Sequence, residues 1–281
     1  MRGDRQRGRK LRCAGITATD EKGIADAPRR NRVTLLVVTT KGRRAGAHMA
    51  PPWYVGTRRL LDTVFPPKCA GCSARGGWLC SSCLALVQPL TLPACGVCDA
   101  PIHPAEPHGC GTAGVPLLSI SAVGVYAGPL RASVHALKYG GRHGIAATLA
   151  ALLAPRLEPL LAEGDLLIPA PLHPTRERER GYNQSAILAT ELARLLPLEP
   201  APAALRRVRA TADQTTLTGP QRAANMRGAF AGRPDLVRNR CLWLLDDVST
   251  TGSTLRAAAR ALRAAGALEV RGAVIAMTNR G

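Results

Sequence analysis

Residues 241–262 read CLWLLDDVSTTGSTLRAAARAL, and few folds accommodate that order. Leu242 to Leu245 are apolar without alternation, so a strand there is buried on both faces. Gly252 sits in a short turn, and from Ser253 the apolar spacing is that of a helix ending at Gly266. The same alternation runs from about residue 119 to the end. ISAVGVY, DLLIPAPLHP, CLWLLDD and LEVRGAVIAMT read as strands. LRASVHALKYGG, NQSAILATELARLL and HGIAATLAALLAPRLEPLLAEG read as helices, the last disturbed by Pro155 and Pro159. Strands alternating with helices predict an α/β domain, a largely parallel sheet flanked by helices on both faces.

The turn has a chemistry of its own. Asp246 and Asp247 end the apolar run, and Ser249, Thr250, Thr251, Gly252, Ser253 and Thr254 follow, five hydroxyls in six positions. A helix start presents free N–H groups and the positive end of a dipole, which suits phosphate. Two carboxylates beside it repel phosphate, unless the ligand also carries hydroxyls that donate to acids, as sugars do in nucleotide-binding folds. A ribose 5-phosphate meets both demands. Helix capping accounts for one or two of the hydroxyls but not for the acids.

Seven of the nine cysteines lie between Cys69 and Cys110. Cys69/Cys72, Cys80/Cys83 and Cys95/Cys98 are CxxC pairs, a spacing that brings two thiolates of one tight turn to the same tetrahedral ion. Cys69, Cys72, Cys80 and Cys83 form the compact set, a closed four-thiolate site that would hold structural zinc. Cys95, Cys98 and Cys110 make a weaker second set that lacks a fourth cysteine. His103, His108, a degenerate site and an interleaved pairing of the three pairs all remain open. The segment has few apolar residues and needs a metal staple to fold. Clustered thiols at this spacing point to a reducing compartment, the cytoplasm, rather than to a disulfide framework.

The chain has 281 residues, 46% of them hydrophobic, enough for a packed core. It carries 38 Lys and Arg against 19 acids, a net charge of +19 that favours polyanions or phosphorylated ligands. The Ala, Gly, Pro and Arg bias runs through the whole chain, so the charge is equally a matter of composition. Residues 1–48 are basic and read as a disordered tail or a mis-called start, with MAPPWYVG from Met49 reading as a natural beginning. No apolar run approaches the ~20 residues of a spanning helix. Three units are expected: 1–48, a zinc-ribbon module over 49–115, and the α/β domain over 116–281. Within the last, residues 197–240 read as a long mobile excursion, and long loops are often functional.

LWLLDDVSTTGST resembles the 5-phosphoribosyl-1-diphosphate signature of type I phosphoribosyltransferases. IPAPLHPTRERERGYNQSAILA, RRVRATADQTTLTGPQRAANMRGAF and VHALKYGGRHGIA, with the Cys-rich segment in front, are similar to the ComF family of competence-associated phosphoribosyltransferase-like proteins, which carry an N-terminal double zinc ribbon. The resemblance covers about residues 55–278. It implies a type I phosphoribosyltransferase fold in which Asp246 and Asp247 hold the ribose hydroxyls and Ser249 to Thr254 hold the 5-phosphate. It implies Lys138, Arg176, Arg178 and Arg180 as contacts to diphosphate or to a nucleic-acid backbone; read without it, RERER over 176–180 is a solvated, mixed-charge loop. Gln214, Arg222 and Asn225 would belong to a flexible hood. Magnesium would accompany the diphosphate. Three features depart from the family: the eighth ribbon cysteine is missing, Tyr182 stands where Phe is usual, and Thr175 and Glu177 fall where basic or apolar residues are common, which lowers the local positive charge. No general base stands out, so no catalytic residue is assigned. The resemblance also links the chain to DNA uptake, with single-stranded DNA and other competence proteins as partners. That leaves three functions: a phosphoribosyltransferase with an unknown acceptor, a single-stranded-DNA-binding competence factor with a regulatory or vestigial sugar-phosphate site, and a zinc-ribbon adaptor.

Overall fold

A computed structural model describes residues 66–103, 108–110, 114–139, 141–209 and 219–278, without the side chains of 219, 220, 222 and 223. The expected tail over 1–48, the start at Met49 and the hood residue Gln214 lie outside the described residues. A short helix α1 (Ser81–Ala85) and strand β1 (Ala94–Cys95) belong to the Cys-rich segment. There follow β2 (Ser119–Val125), α2 (Gly128–Tyr139), α3 (Ile145–Leu157), β3 (Leu166–Pro169), α4 (Pro174–Arg180), α5 (Gln184–Leu192) and β4 (Glu199–Pro200). The chain closes with β5 (Leu205–Arg207), α6 (Gly219–Met226), β6 (Phe230–Gly232), α7 (Pro234–Val237), β7 (Cys241–Ser249), α8 (Ser253–Ala264) and β8 (Glu269–Met277).

The main sheet has the order β1-β2-β8-β7-β3-β4, parallel except for β1, which runs antiparallel to β2. β7 is central, as its apolar run requires. Leu242 and Leu244 point to one face, where they pack with Leu255, Ala258 and Leu262 of α8. Trp243 and Leu245 point to the other, where α2, α3 and α5 supply Leu137, Leu153 and Leu188. The connection after β3 therefore covers one face and the helix after β7 covers the other. Strand order reverses between these two neighbours, and the crevice beyond their carboxyl ends is where ligands bind in open α/β sheets.

The expected strands and helices are all present, and three local readings are corrected. Pro155 does not break α3, which runs to Leu157 before a single 3-10 turn at Glu158–Leu160 takes up Pro159. RERER is not a loop but most of α4, with Pro174 at its first turn and Gly181 closing it in the left-handed region at φ 78°. The excursion over 197–240 is partly folded: β5 and β6 pair antiparallel, and Leu205, Met226, Phe230 and Val237 are buried against α8. Apolar residues spaced through that polar stretch were the signal for a second small layer.

The Cys-rich segment and the α/β domain share structure across the expected 115–116 boundary. β1 is the edge strand of the main sheet, and residues 88–90 bond to β2 through Leu90 N to Val123 O and Val125 N to Gln88 O. Trp78 packs onto the core face that carries α2 and α3. Among the described residues no helix is long and apolar enough to cross a membrane.

The far end of the sheet is held by a buried polar knot. Asp165, 4% exposed, accepts from Trp243 Nε1 at 2.9 Å and from the Ala162 amide at 3.0 Å. Arg271, 5% exposed, pairs with Glu269 and reaches Leu160 O at 2.5 Å. Trp243→Phe keeps most of the volume but leaves that carboxylate one donor short, an expected cost of about 1–3 kcal/mol. Trp243→Ala adds a cavity, for about 3–5 kcal/mol. Both should appear as lower denaturant midpoints with an unchanged slope.

Candidate functional site

The two acids stand at the carboxyl end of β7, and each is held differently. Asp247, with 4% of its side chain exposed, takes the Lys138 ammonium on Oδ1 at 2.9 Å, while its buried Oδ2 has no hydrogen-bond partner. Asp246 Oδ1 accepts from the Asp247 amide at 2.9 Å and from Ser185 Oγ at 3.1 Å. Burial first, and then the Asp247 charge, push the Asp246 carboxyl up to about 7, with Lys138 opposing. Burial alone would lower the Lys138 pKa, but the attraction of Asp247 outweighs it and holds the ammonium above the ordinary lysine value. Lys138, expected against diphosphate, thus has an acid for its partner.

The loop that follows turns sharply into α8. Gly252 lies at φ 68°, a left-handed position that L side chains rarely adopt, and turns the chain into α8. Thr251 Oγ1 accepts from the Ser253 amide at 3.4 Å and donates to Ser253 Oγ at 2.9 Å. Thr278, just beyond β8, ties down the loop backbone, its hydroxyl bonding Thr250 O at 3.0 Å and its amide Ser249 O at 3.1 Å. Ser249 Oγ is buried with no hydrogen-bond partner. Two unpartnered oxygens, Ser249 Oγ and Asp247 Oδ2, thus stand within two residues of each other, and buried polar groups are rarely left so.

The other predicted residues divide. Arg180 donates to Gln184 Oε1 at 2.6 Å and lies over the Tyr139 ring, 5.1 Å from its centroid. Arg176 and Arg178 are exposed on α4. Asn183 caps α5, accepting from the Ser185 and Ala186 amides. Arg222 and Asn225 lie on α6, Asn225 half-buried with its carbonyl taken by Arg209 at 2.6 Å. Sequence reasoning missed Ser185, which reaches Asp246 only because the Asn183 cap fixes the start of α5. It also missed what Tyr182 does: its hydroxyl donates to Leu137 O at 2.6 Å, fastening the end of α2 next to Lys138.

The cysteines gather into two groups, each with its ligand atoms within 4.8 Å of one another: Cys69, Cys72, Cys80 and Cys83, and Cys95, Cys98, His108 and Cys110. The second group decides the open question of a fourth ligand, with His108 Nε2 3.3 Å from Cys98 Sγ. The interleaved pairing is excluded, since Cys72 and Cys80 approach to 3.6 Å within the first group. Four ligands around zinc at about 2.3 Å stand roughly 3.8 Å apart, so the spacing fits. The thiol chemistry fits as well. Burial opposes ionisation of Cys69, yet the amides of Cys80, Cys72 and Gly71 bring it down to about 6. Cys83 is pushed up to about 12 by burial and by its neighbouring thiols. Cys98 is brought down to about 7, chiefly by the Ala100 amide, and Cys110 is pushed up to about 11, chiefly by Cys98. Crowded thiols of this kind share few negative charges until a divalent cation makes all of them thiolates.

Two expectations follow. The protein holds two zinc ions per chain, and His108→Ala leaves one, measured by elemental analysis against protein concentration. The raised Asp246 value makes the folded state lose stability as pH climbs toward about 7, with the cost fully present above it. Asp246→Asn should therefore flatten the fall in unfolding midpoint between about pH 4 and 8 and be the more stable protein at the upper end. A less stable variant at the upper end contradicts burial as the cause of the shift.

Comparison with known proteins agrees with this arrangement. The double zinc ribbon domain family model matches residues 60–114, and the phosphoribosyl transferase domain model matches residues 183–281. The DNA utilization protein YhgH of Escherichia coli O157:H7 is 36% identical over 209 residues, covering 70% of this chain and 89% of that protein. The YhgH protein of Salmonella typhimurium is 37% identical over 203 residues, 68% of this chain and 87% of that one. Competence protein F of Haemophilus influenzae is 32% identical over 203 residues, with the same coverage of 68% and 87%. The chain, a double zinc ribbon joined to a phosphoribosyltransferase domain, belongs to the family of the DNA utilization protein YhgH and competence protein F.

Proposed function

We propose that the chain binds 5-phosphoribosyl-1-diphosphate at the end of β7 and works in the handling of DNA, the activity named in its relatives. One observation carries the binding: an acid pair, Asp246 half-buried and Asp247 buried, shares one strand end with a hydroxyl-rich loop, and each side has an unpartnered buried oxygen, Asp247 Oδ2 and Ser249 Oγ. The loop would take the 5-phosphate through Ser249 to Thr254, and Asp246 and Asp247 would accept from the ribose 2- and 3-hydroxyls. Lys138 occupies Asp247 Oδ1 and leaves Oδ2 to accept. The carboxylates of Asp246 and Asp247 fit a hard, oxygen-seeking cation such as magnesium, which with a bound diphosphate offsets the charge of the leaving group.

If the chain turns over, the C1–O bond to diphosphate breaks and a bond from C1 to a nucleophile forms, with C1 passing through an oxocarbenium-like state. The carboxylates near the ribose stabilise that positive charge. Arg176, Arg178 and Arg180, on the helix after β3, are the candidates to receive the diphosphate. The segment with Gln214, Arg222 and Asn225 is the candidate hood that excludes water. Thiols kept for metal support a reducing compartment, the cytoplasm, as the place where the chain works.

A second reading rests on a separate feature. Arg131, His135, Tyr139 and Arg142, with Ala70 of the first ribbon, line an open groove of about 580 Å³. Tyr139 is 67% exposed, with the His135 ring 4.8 Å away. A cationic groove with an aromatic platform suits single-stranded DNA, whose bases stack and whose phosphates seek cations. Other competence proteins would then meet the chain through the DNA or the ribbons.

Titration calorimetry with magnesium should show phosphoribosyl diphosphate binding to the wild type, and Asp246→Asn with Asp247→Asn should weaken it at least ~100-fold, as expected when two charged acceptors are lost. No heat with the wild type refutes the binding. The double variant should keep its DNA affinity, and that affinity should fall steeply with salt. A flat salt response refutes the groove.

A further inference from the structure

We propose that Arg256 is a positioning residue through which the second metal ribbon sets the phosphate loop, so that metal at Cys95, Cys98, His108 and Cys110 and a sugar phosphate at the loop strengthen each other's binding. The inference rests on the phosphoribosyl reading of the loop.

Arg256 lies in the first turn of α8, with 20% of its side chain exposed. Its guanidinium bridges two structures that are 150 residues apart in sequence. On one side Nη1 donates to Thr251 O in the phosphate loop at 2.6 Å. On the other, Nε donates to Gly96 O at 2.6 Å and Nη2 to Val97 O at 3.2 Å. Nη2 also meets Asp99 Oδ1 at 2.5 Å, a pairing that neutralises the charge. Gly96 and Val97 are the two residues between Cys95 and Cys98, and Asp99 follows, so every acceptor on that side belongs to one metal knuckle.

The knuckle is seated firmly. The Gly96 amide donates to Leu118 O at 3.1 Å, and a Cβ on Gly96 would lie 1.9 Å from Leu117 O. The guanidinium also fills the space against Gly252, where a Cβ would meet Nη1 at 2.8 Å. With these donors committed to carbonyls and a carboxylate, Arg256 acts as a brace rather than a phosphate ligand. Its planar fork serves two sides at once, which a lysine cannot do. Metal on Cys95 and Cys98 fixes the direction of the Gly96 and Val97 carbonyls. Without it the turn between the two thiols is free to open, Arg256 loses its acceptors, and Thr251 O loses its anchor. Thr251 Oγ1 is the group that bonds Ser253, so the hydroxyls of the loop shift with it. Coupling of two binding sites through one element is reciprocal.

The experiment uses the full zinc-loaded chain. Zinc retained against a competing chelator is measured at equilibrium with and without phosphoribosyl diphosphate and magnesium, and the affinity for phosphoribosyl diphosphate is measured by calorimetry. The expected result is that the ligand raises the affinity of one zinc, and not the other, by about tenfold, within the usual range of such couplings. His108→Ala should weaken phosphoribosyl diphosphate by the same factor. Arg256→Lys should bind two zinc ions yet show no linkage. Asp99→Asn keeps the arginine and, losing only the charged contact, should show a reduced linkage, which covers the case in which Arg256→Lys does not fold. Ligand binding to the wild type with unchanged retention of both zinc ions overturns the coupling and leaves the binding proposal intact. An undiminished linkage in Arg256→Lys overturns the role of Arg256. Absence of ligand binding overturns the phosphoribosyl reading and the coupling together.

Discussion

The site depends on the ion pair between Lys138 and Asp247. Two adjacent aspartates at the end of a buried strand repel each other and are partly stripped of water, a costly arrangement without a counter-charge. Lys138 supplies it from the last turn of α2, at 2.9 Å. The Tyr182 hydroxyl secures that turn through Leu137 O, and the Asn183 cap starts the helix whose Ser185 meets Asp246. Three elements, α2, α5 and β7, thus converge on two carboxylates. Even so, burial first and the Asp247 charge second hold the Asp246 carboxyl near 7, so desolvation and repulsion are both stored in the free protein. Stored repulsion of this kind is what a ligand with donor hydroxyls, or a cation, relieves.

The metal ribbons belong to the same mechanical unit. β1, which carries Cys95, is an edge strand of the main sheet, and the first ribbon rests on the core through Trp78. A segment with so few apolar residues holds its shape through metal, and the sheet gains a covered edge in return. Arg256 extends that connection from the knuckle to the loop before α8.

Much of this was legible in the sequence because its signals are local. The unbroken apolar run of β7, the five hydroxyls around the start of α8 and the CxxC spacings each encode a geometry in a few residues. The two acids were legible for the same reason. What escaped depends on long-range contact. His108 separates from His103 as a ligand only once the second knuckle is folded. Arg256 reads as one more arginine on the polar side of an amphipathic helix until Gly96, Val97 and Asp99 arrive from 160, 159 and 157 residues away. The antiparallel β5–β6 pair was hidden because its strands are three residues long, far apart in sequence and set in a polar stretch. α4 looked like a loop because RERER has no apolar face, and its only helix signals are Pro174 at the start and Gly181 at the end.

The central claim is that one site grips a ribose at its hydroxyls and at its 5-phosphate. The most direct measurement compares ribose 5-phosphate, 2-deoxyribose 5-phosphate and ribose by calorimetry, on the wild type and on Asp246→Asn. Losing either the phosphate or the 2-hydroxyl should weaken binding by about tenfold or more, since a buried group left without its partner is costly. Asp246→Asn should also narrow the gap between ribose and deoxyribose while leaving the phosphate preference in place. Equal binding of ribose 5-phosphate and its 2-deoxy analogue to the wild type would contradict the claim.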